Sequence, residues 1–181
     1  MRLFIAVSAD ESVKAAASEA VARLKRAGGD YRWVDPRDMH TTLRFIGETP
    51  EARLPEILAL MSRAAARTAP FEIVYGGLGA FESLEDPRVA WISLSAGVEK
   101  LKALARLLGR EEPRPFLPHL TLGRRRREPT PPSFTRALRE APVLGLRCLV
   151  EKIALYVSRP APFGHAYEIL EEIPLSASTT A

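Results

Sequence analysis

The pattern His-x-Thr-Leu occurs twice in this chain. It stands at His40-Thr41-Thr42-Leu43 and, about 80 residues later, at His119-Leu120-Thr121-Leu122. Both copies sit in alternating apolar and polar sequence, the period of a strand with one face in a core. The fold must therefore present two strands whose buried faces carry leucine and whose open faces carry His and Thr. The chain of 181 residues holds three histidines, nine threonines and 23 leucines. Two of the three histidines meet this pattern by chance roughly once in ten thousand trials.

The surrounding sequence alternates short strands with short helices. Residues 3–7 read as a buried strand. Asp10 caps a helix over about 11–27, which Gly28-Gly29 stops. Strands follow at 31–34 and 39–46, and Thr49-Pro50 opens a second helix. Strands are expected at 71–75 and 89–94, with Gly76-Gly77-Leu78-Gly79 as a turn. Ser95 is expected to cap a helix ending near Leu108-Gly109. The Pro-rich stretch from Pro113 to Pro118 leads into a strand at 119–124, and Thr130-Pro131 opens a last helix. Between Leu144 and Val157 the apolar parity shifts by one residue, which predicts a bulge or turn near Glu151. A final strand covers 167–173. The reading is α+β with mainly antiparallel sheet, one domain over 1–175 and a flexible tail at 176–181.

Composition narrows the chemistry. Cys148 is the lone cysteine, so neither an internal disulfide nor a site of several thiolates can form. Three histidines without clustered ligand spacing predict no metal, and no cofactor-binding motif is present. Twenty-six basic residues oppose 22 acidic ones, an excess of four that equals the run Arg124-Arg125-Arg126-Arg127. That locates an anionic partner rather than describing a generally basic protein. No targeting segment or stretch of membrane-span length is visible, so a cytoplasmic location is expected, and no large apolar stripe is left over, so a monomer is expected.

Residues i and i+2 of a strand share a face roughly 6–7 Å apart. His40 therefore projects with Thr42 and His119 with Thr121, while Thr41, Leu43 and Phe45 are expected in the core. If the two units face each other, two imidazoles and two hydroxyls surround one small anion. One neutral imidazole can take a proton from an attacking oxygen. The other, as imidazolium, can protonate a leaving oxygen, while the threonines hold the non-bridging oxygens. An ordinary histidine pKa near 6.5 permits both states near neutral pH.

Two such motifs at this separation resemble those of the 2H phosphoesterase superfamily, and of its RNA 2',3'-cyclic phosphodiesterase or 2'-5' RNA ligase family. Met1–Ala6, Arg32-Trp33-Val34, Leu43–Glu48, Gly79-Ala80-Phe81, Val89-Ala90-Trp91, Phe116-Leu117-Pro118, Arg124, Ser158, Gly164 and Tyr167 extend the resemblance over residues 1–173. The resemblance implies a bilobal fold, two antiparallel sheets with outer helices related by a pseudo-twofold axis. It implies hydrolysis of an RNA terminal 2',3'-cyclic phosphate to a 2'-phosphomonoester, with reversible 2'-5' ligation, and neither ATP nor metal. The partner would be an RNA end, such as a tRNA fragment. His40 would be the general acid and His119 the general base, with Thr42 and Thr121 on the phosphate.

Arg44, two positions past Thr42, and Arg124, after Gly123, are further candidates for the phosphate. Arg126, Phe116 and Tyr31 are candidates for contact with RNA, and His165 reads as a plain surface residue. Two other functions fit the same sequence. One is a related phosphodiesterase for small cyclic nucleotides or ADP-ribose cyclic phosphate. The other is a non-catalytic RNA-binding module.

Overall fold

A computed structural model describes residues 1–110, 115–127, 129–161 and 164–176. The expected tail beyond Ser176 and the start of the Pro-rich stretch, at 113–114, lie outside the described residues. In chain order the elements are β1 (Arg2–Ser8), α1 (Glu11–Arg26), β2 (Tyr31–Trp33), β3 (His40–Glu48), α2 (Leu54–Ala65), β4 (Phe71–Glu82) and β5 (Pro87–Ala96). They continue with α3 (Val98–Leu107), β6 (His119–Arg125), α4 (Pro132–Arg139), β7 (Leu146–Val150), β8 (Lys152–Ala161) and β9 (Gly164–Pro174). The class is α+β, as expected.

Every strand pairing is antiparallel. The strands form one hydrogen-bonded path, β7-β4-β5-β6-β3-β1-β8-β9, with β2 added beside β6, rather than two separate sheets. Its two wings meet at β3 and β6 through a single residue pair, Thr41 with Leu120. The parity shift read near Glu151 is a strand break. Glu151 alone separates β7, at one end of the path, from β8, near the other. The sheet therefore curls so that its ends approach, and Glu151's carbonyl accepts a 2.7 Å hydrogen bond from the Leu175 amide.

The helices pack on one face of this curl. Asp10 caps α1 by accepting from the Val13 amide, and Val13, Ala17, Val21 and Leu24 make its buried stripe. They join Leu3, Ile5 and Val7 of β1 in the main core. The opposite face of β1 carries Phe4 and Ala6, which gather with Ala154 and Tyr156 in a smaller cluster beneath Tyr167. Thus β1 is buried on both sides and forms the floor of an open groove.

Three local expectations are corrected. Gly76-Gly77-Leu78-Gly79 is not a turn but an irregular stretch inside β4, where the register against β5 shifts. Glycine is needed there because a Cβ on Gly79 would strike the Trp91 ring. Thr49 does not cap α2. Its hydroxyl donates to the Gly47 carbonyl, and a 3-10 turn over Glu51–Arg53 precedes the helix. Ser95 does not cap α3, which starts after Gly97 in a left-handed conformation with φ 78°.

Candidate active site

Both histidines are mounted in the same way. A 3-10 turn over Pro36–Asp38, capped by the Asp35 carboxylate, delivers the chain to β3. This leaves the Asp38 carbonyl facing the His40 ring, with Nδ1 2.5 Å from the oxygen. At β6 the Leu117 carbonyl lies 2.8 Å from His119 Nδ1. A carbonyl only accepts, so Nδ1 carries the proton in each ring, and Nε2 is the nitrogen left for a substrate. Antiparallel pairing of Thr41 with Leu120 sets His40 across from Thr121 and Thr42 across from His119. Each imidazole therefore stands beside the other motif's hydroxyl. Leu43, Leu120 and Leu122, on the reverse side, are fully buried, as the alternation predicts.

All four side chains line one cavity of about 620 Å³, together with Phe45, Phe81, Phe116, Arg124, Ser158, His165 and Tyr167. His40 stacks on Tyr156 and packs against Phe4 and the edge of Tyr167. Burial pushes its pKa down to about 4, with smaller contributions from the charges of His119 and Arg124. His119 contacts Phe81 and Trp91. Its pKa is also lowered, first by burial and then by Arg124 and Arg110. In both rings the hydrogen bond from Nδ1 opposes the shift.

The cleft holds cations that the sequence reading did not single out. Arg2, Arg32 and Arg110 line it beside Arg124, and Asp38 is an acidic member of the lining. Arg32 is there because β2 pairs with β6, which places it opposite Arg124. The Arg110 guanidinium stacks 4.1 Å from the Phe116 ring centroid and donates to the Leu43 carbonyl. Phe116, expected at the cleft, lies on its wall. No periodicity announces Arg110, since it follows the end of a helix. Among the described residues no group of three His, Cys, Asp or Glu could hold a metal ion.

Four expectations about position are overturned. Arg44 does not line the cleft that holds the two motifs. Strand β3 bulges against β1, where Ile5 pairs with Arg44 and Ala6 with Thr42, so Leu43 is the extra residue. The bulge reverses the alternation. Arg44 goes instead to the Leu108 carbonyl at the end of α3, 2.5 Å away, and Phe45 turns from the expected core into the cleft. Tyr31 is buried between Trp33 and Phe134, and its hydroxyl donates to the Pro87 carbonyl. Arg126 is exposed outside the cleft lining, its amide bound to the Asp30 carbonyl. Of the arginine run only Arg124 lines the cavity. Arg125 is buried against Asp86 and Thr130, and Arg127 pairs loosely with Asp30.

Comparison with known proteins places this geometry in a family. Residues 7–91 match the model of the LigT like phosphoesterases. An RNA 2',3'-cyclic phosphodiesterase of Thermus thermophilus is 40% identical, over 97% of this chain and 90% of its own length. One from Thermotoga maritima is 30% identical, over 95% and 94%. A crystal structure from Thermus thermophilus superposes with a TM-score of 0.80 at 34% identity, covering 99% of this chain and 100% of that one. Escherichia coli LigT, complexed with 3'-AMP, superposes with a TM-score of 0.74 at 25% identity, over 96% and 97%. No helix among the described residues is long and apolar enough to cross a membrane. The chain belongs to the LigT-like phosphoesterases, a family of phosphoesterase enzymes.

Proposed function

We propose that this protein, as a monomer, hydrolyses the 2',3'-cyclic phosphate at an RNA end to a 2'-phosphomonoester. It needs no metal and catalyses reversible 2'-5' RNA ligation without ATP, with tRNA fragments among its substrates. The observation that carries this reading is the pair of His-x-Thr units on adjoining strands, each imidazole oriented by a carbonyl and each beside the opposite hydroxyl. The names of the relatives support the substrate class.

In this reading Thr42, Thr121 and Arg124 hold the non-bridging oxygens of the cyclic phosphate. His119 Nε2 takes a proton from water as it attacks phosphorus. His40 Nε2 gives a proton to the departing 3' oxygen, and the 2' ester remains. Both rings have lowered pKa values in the free protein, so both are neutral at pH 7. The acid must gain its proton with the substrate. An anion between the rings opposes the effect of burial and raises both pKa values. Ligation follows the same steps with a ribose 5' hydroxyl in place of water, giving a 2'-5' diester, and splitting of that linkage runs them backwards with the two roles exchanged.

The test is incubation of RNA ending in a 2',3'-cyclic phosphate with the protein in EDTA, followed by analysis of the terminus. A 2'-phosphate is expected. A 3'-phosphate, or activity that EDTA abolishes, contradicts the reading. Much faster turnover of small cyclic nucleotides than of RNA would favour the alternative substrate class. Salt-dependent RNA binding without turnover would favour a binding module.

A further inference from the structure

Strands β3 and β6 carry the two His-x-Thr units, yet Thr41 with Leu120 is the one pair that joins them among the described residues. At that pair the Thr41 and Tyr75 hydroxyls lie 3.3 Å apart in the core. A ladder of several pairs fixes how two strands cross, and one pair does not. Beyond Thr41 the separation of the two units is left to side chains, and two arginines bridge the gap from opposite sides.

Leu43 is the extra residue of the β3 bulge and has no partner in the register with β1. Its carbonyl accepts a 2.7 Å hydrogen bond from Arg110. Arg110 stands just past α3, which closes with a Schellman turn. The Arg110 amide donates to the Ala105 carbonyl and the Gly109 amide to the Arg106 carbonyl, with Gly109 left-handed at φ 71°. That closure leaves the Leu108 carbonyl without a partner inside the helix. Arg44 of β3 supplies one, 2.5 Å away. A Cβ on Gly109 would lie 3.0 Å from the Arg44 guanidinium, so glycine there also keeps its seat open. Each arginine thus satisfies a carbonyl that the other element leaves over. Both side-chain bonds are partly buried, where a charge-assisted hydrogen bond is stronger than in water.

This clasp adjoins the reacting groups on both sides. Leu43 directly follows Thr42. The Arg110 guanidinium stacks on Phe116, the neighbour of Leu117, whose carbonyl orients His119. Helix α3 begins against β4, since a Cβ on Gly97 would strike Ile73, so its end belongs with the wing of His119. We propose that Arg44 and Arg110 are positioning residues that fix the distance of His40 and Thr42 from His119 and Thr121. This rests on the reading that the two units act on one phosphate. It gives Arg44, expected on the phosphate itself, a task one step removed from it.

The experiment uses Arg44, because it lies outside the cleft lining. Wild type, Arg44→Met, Arg44→Lys and Arg125→Ala are compared for kcat on RNA 2',3'-cyclic phosphate, well below each melting temperature. Calorimetry measures binding of inorganic phosphate to the same proteins. Arg44→Met should lower kcat by about 10- to 100-fold, the scale of a misplacement of up to about 1 Å. It should weaken phosphate binding by roughly 3- to 10-fold, because Thr42 and Thr121 no longer converge. Arg44→Lys, whose ammonium can still donate to the Leu108 carbonyl, should recover most of both. Arg125→Ala should lower the melting temperature and keep both, which separates lost stability from lost alignment. If Arg44→Met does not fold, Arg44→Gln, polar but too short for the Leu108 carbonyl, replaces it with the same expectation. A lowered melting temperature with wild-type kcat and phosphate affinity overturns the clasp, as does a lysine variant no better than methionine. If the wild type binds phosphate without turning over the RNA, the proposed reaction fails, and the phosphate affinities still decide the clasp.

Discussion

His40 and His119 occupy matching motifs on neighbouring strands, but their surroundings differ. His40 lies where β1, β8 and β9 contribute Phe4, Tyr156 and Tyr167, three rings within 5.4 Å of its own by centroid. His119 has Phe81 and Trp91 at 4.8 and 5.9 Å, with the charges of Arg124 and Arg110 bearing on it. The shared motif fixes the tautomer in both, while the neighbouring strands set how far water is excluded. Burial is the leading cause of the lowered pKa at both, taking His40 down to about 4, and Arg124 adds to it at each, joined by His119 at His40 and by Arg110 at His119.

The largest effect expected is on the chemistry itself. His40→Ala and His119→Ala should each lower kcat for RNA 2',3'-cyclic phosphate by about 10²–10⁴-fold, the usual worth of one general acid or base. Circular dichroism should show both variants folded. Wild-type rates in either variant would remove that histidine from the mechanism. Next in size is Arg124→Ala. It should raise KM and reduce the slope of log affinity against log salt by about one phosphate contact. It should also raise the pKa of both histidines, because its charge lowers both. Arg125→Ala breaks the Asp86 contact instead, and should lower the melting temperature with little change in the salt slope. Equal salt slopes for the two variants would contradict the separation of these neighbouring arginines.

A smaller effect makes one site resemble the other. Tyr167→Leu removes the ring that packs edge-on against His40. Its NMR-detected pKa should rise from about 4 toward the ordinary 6.5, while that of His119 moves less. If His40 does not move, the exclusion of water by Tyr167 is not the cause.

Much of this was readable in advance for a physical reason. Alternation with period two identified the His-x-Thr faces, and Asp10, Val13, Ala17, Val21 and Leu24 announced α1 because a cap and a buried stripe are local patterns. What escaped depended on long-range pairing. The bulge at Leu43 arises from the fit of β3 against β1, and it exchanged the expected places of Arg44 and Phe45. Arg32 entered the cleft through pairing of β2 with β6. The run Arg124–Arg127 begins at the cleft, but a strand sends successive side chains to opposite faces. Only Arg124 serves the cleft, and the acidic residues that claim Arg125 and Arg127 are distant in sequence.

The smallest effect concerns stability, and its sign follows from the same burial. A histidine with a lowered pKa in the folded state binds fewer protons there than in the unfolded chain. For His40 this holds between the ordinary 6.5 and about 4. Its contribution is present above pH 6.5 and is lost as pH falls through that window. The wild type should therefore lose melting temperature between pH 7 and pH 4.5 by more than His40→Ala does, since alanine removes the group that must stay neutral. His119→Ala should narrow the loss in the same direction. A wild type and a His40→Ala variant that lose stability in parallel over this range would show that His40 is not held neutral by burial.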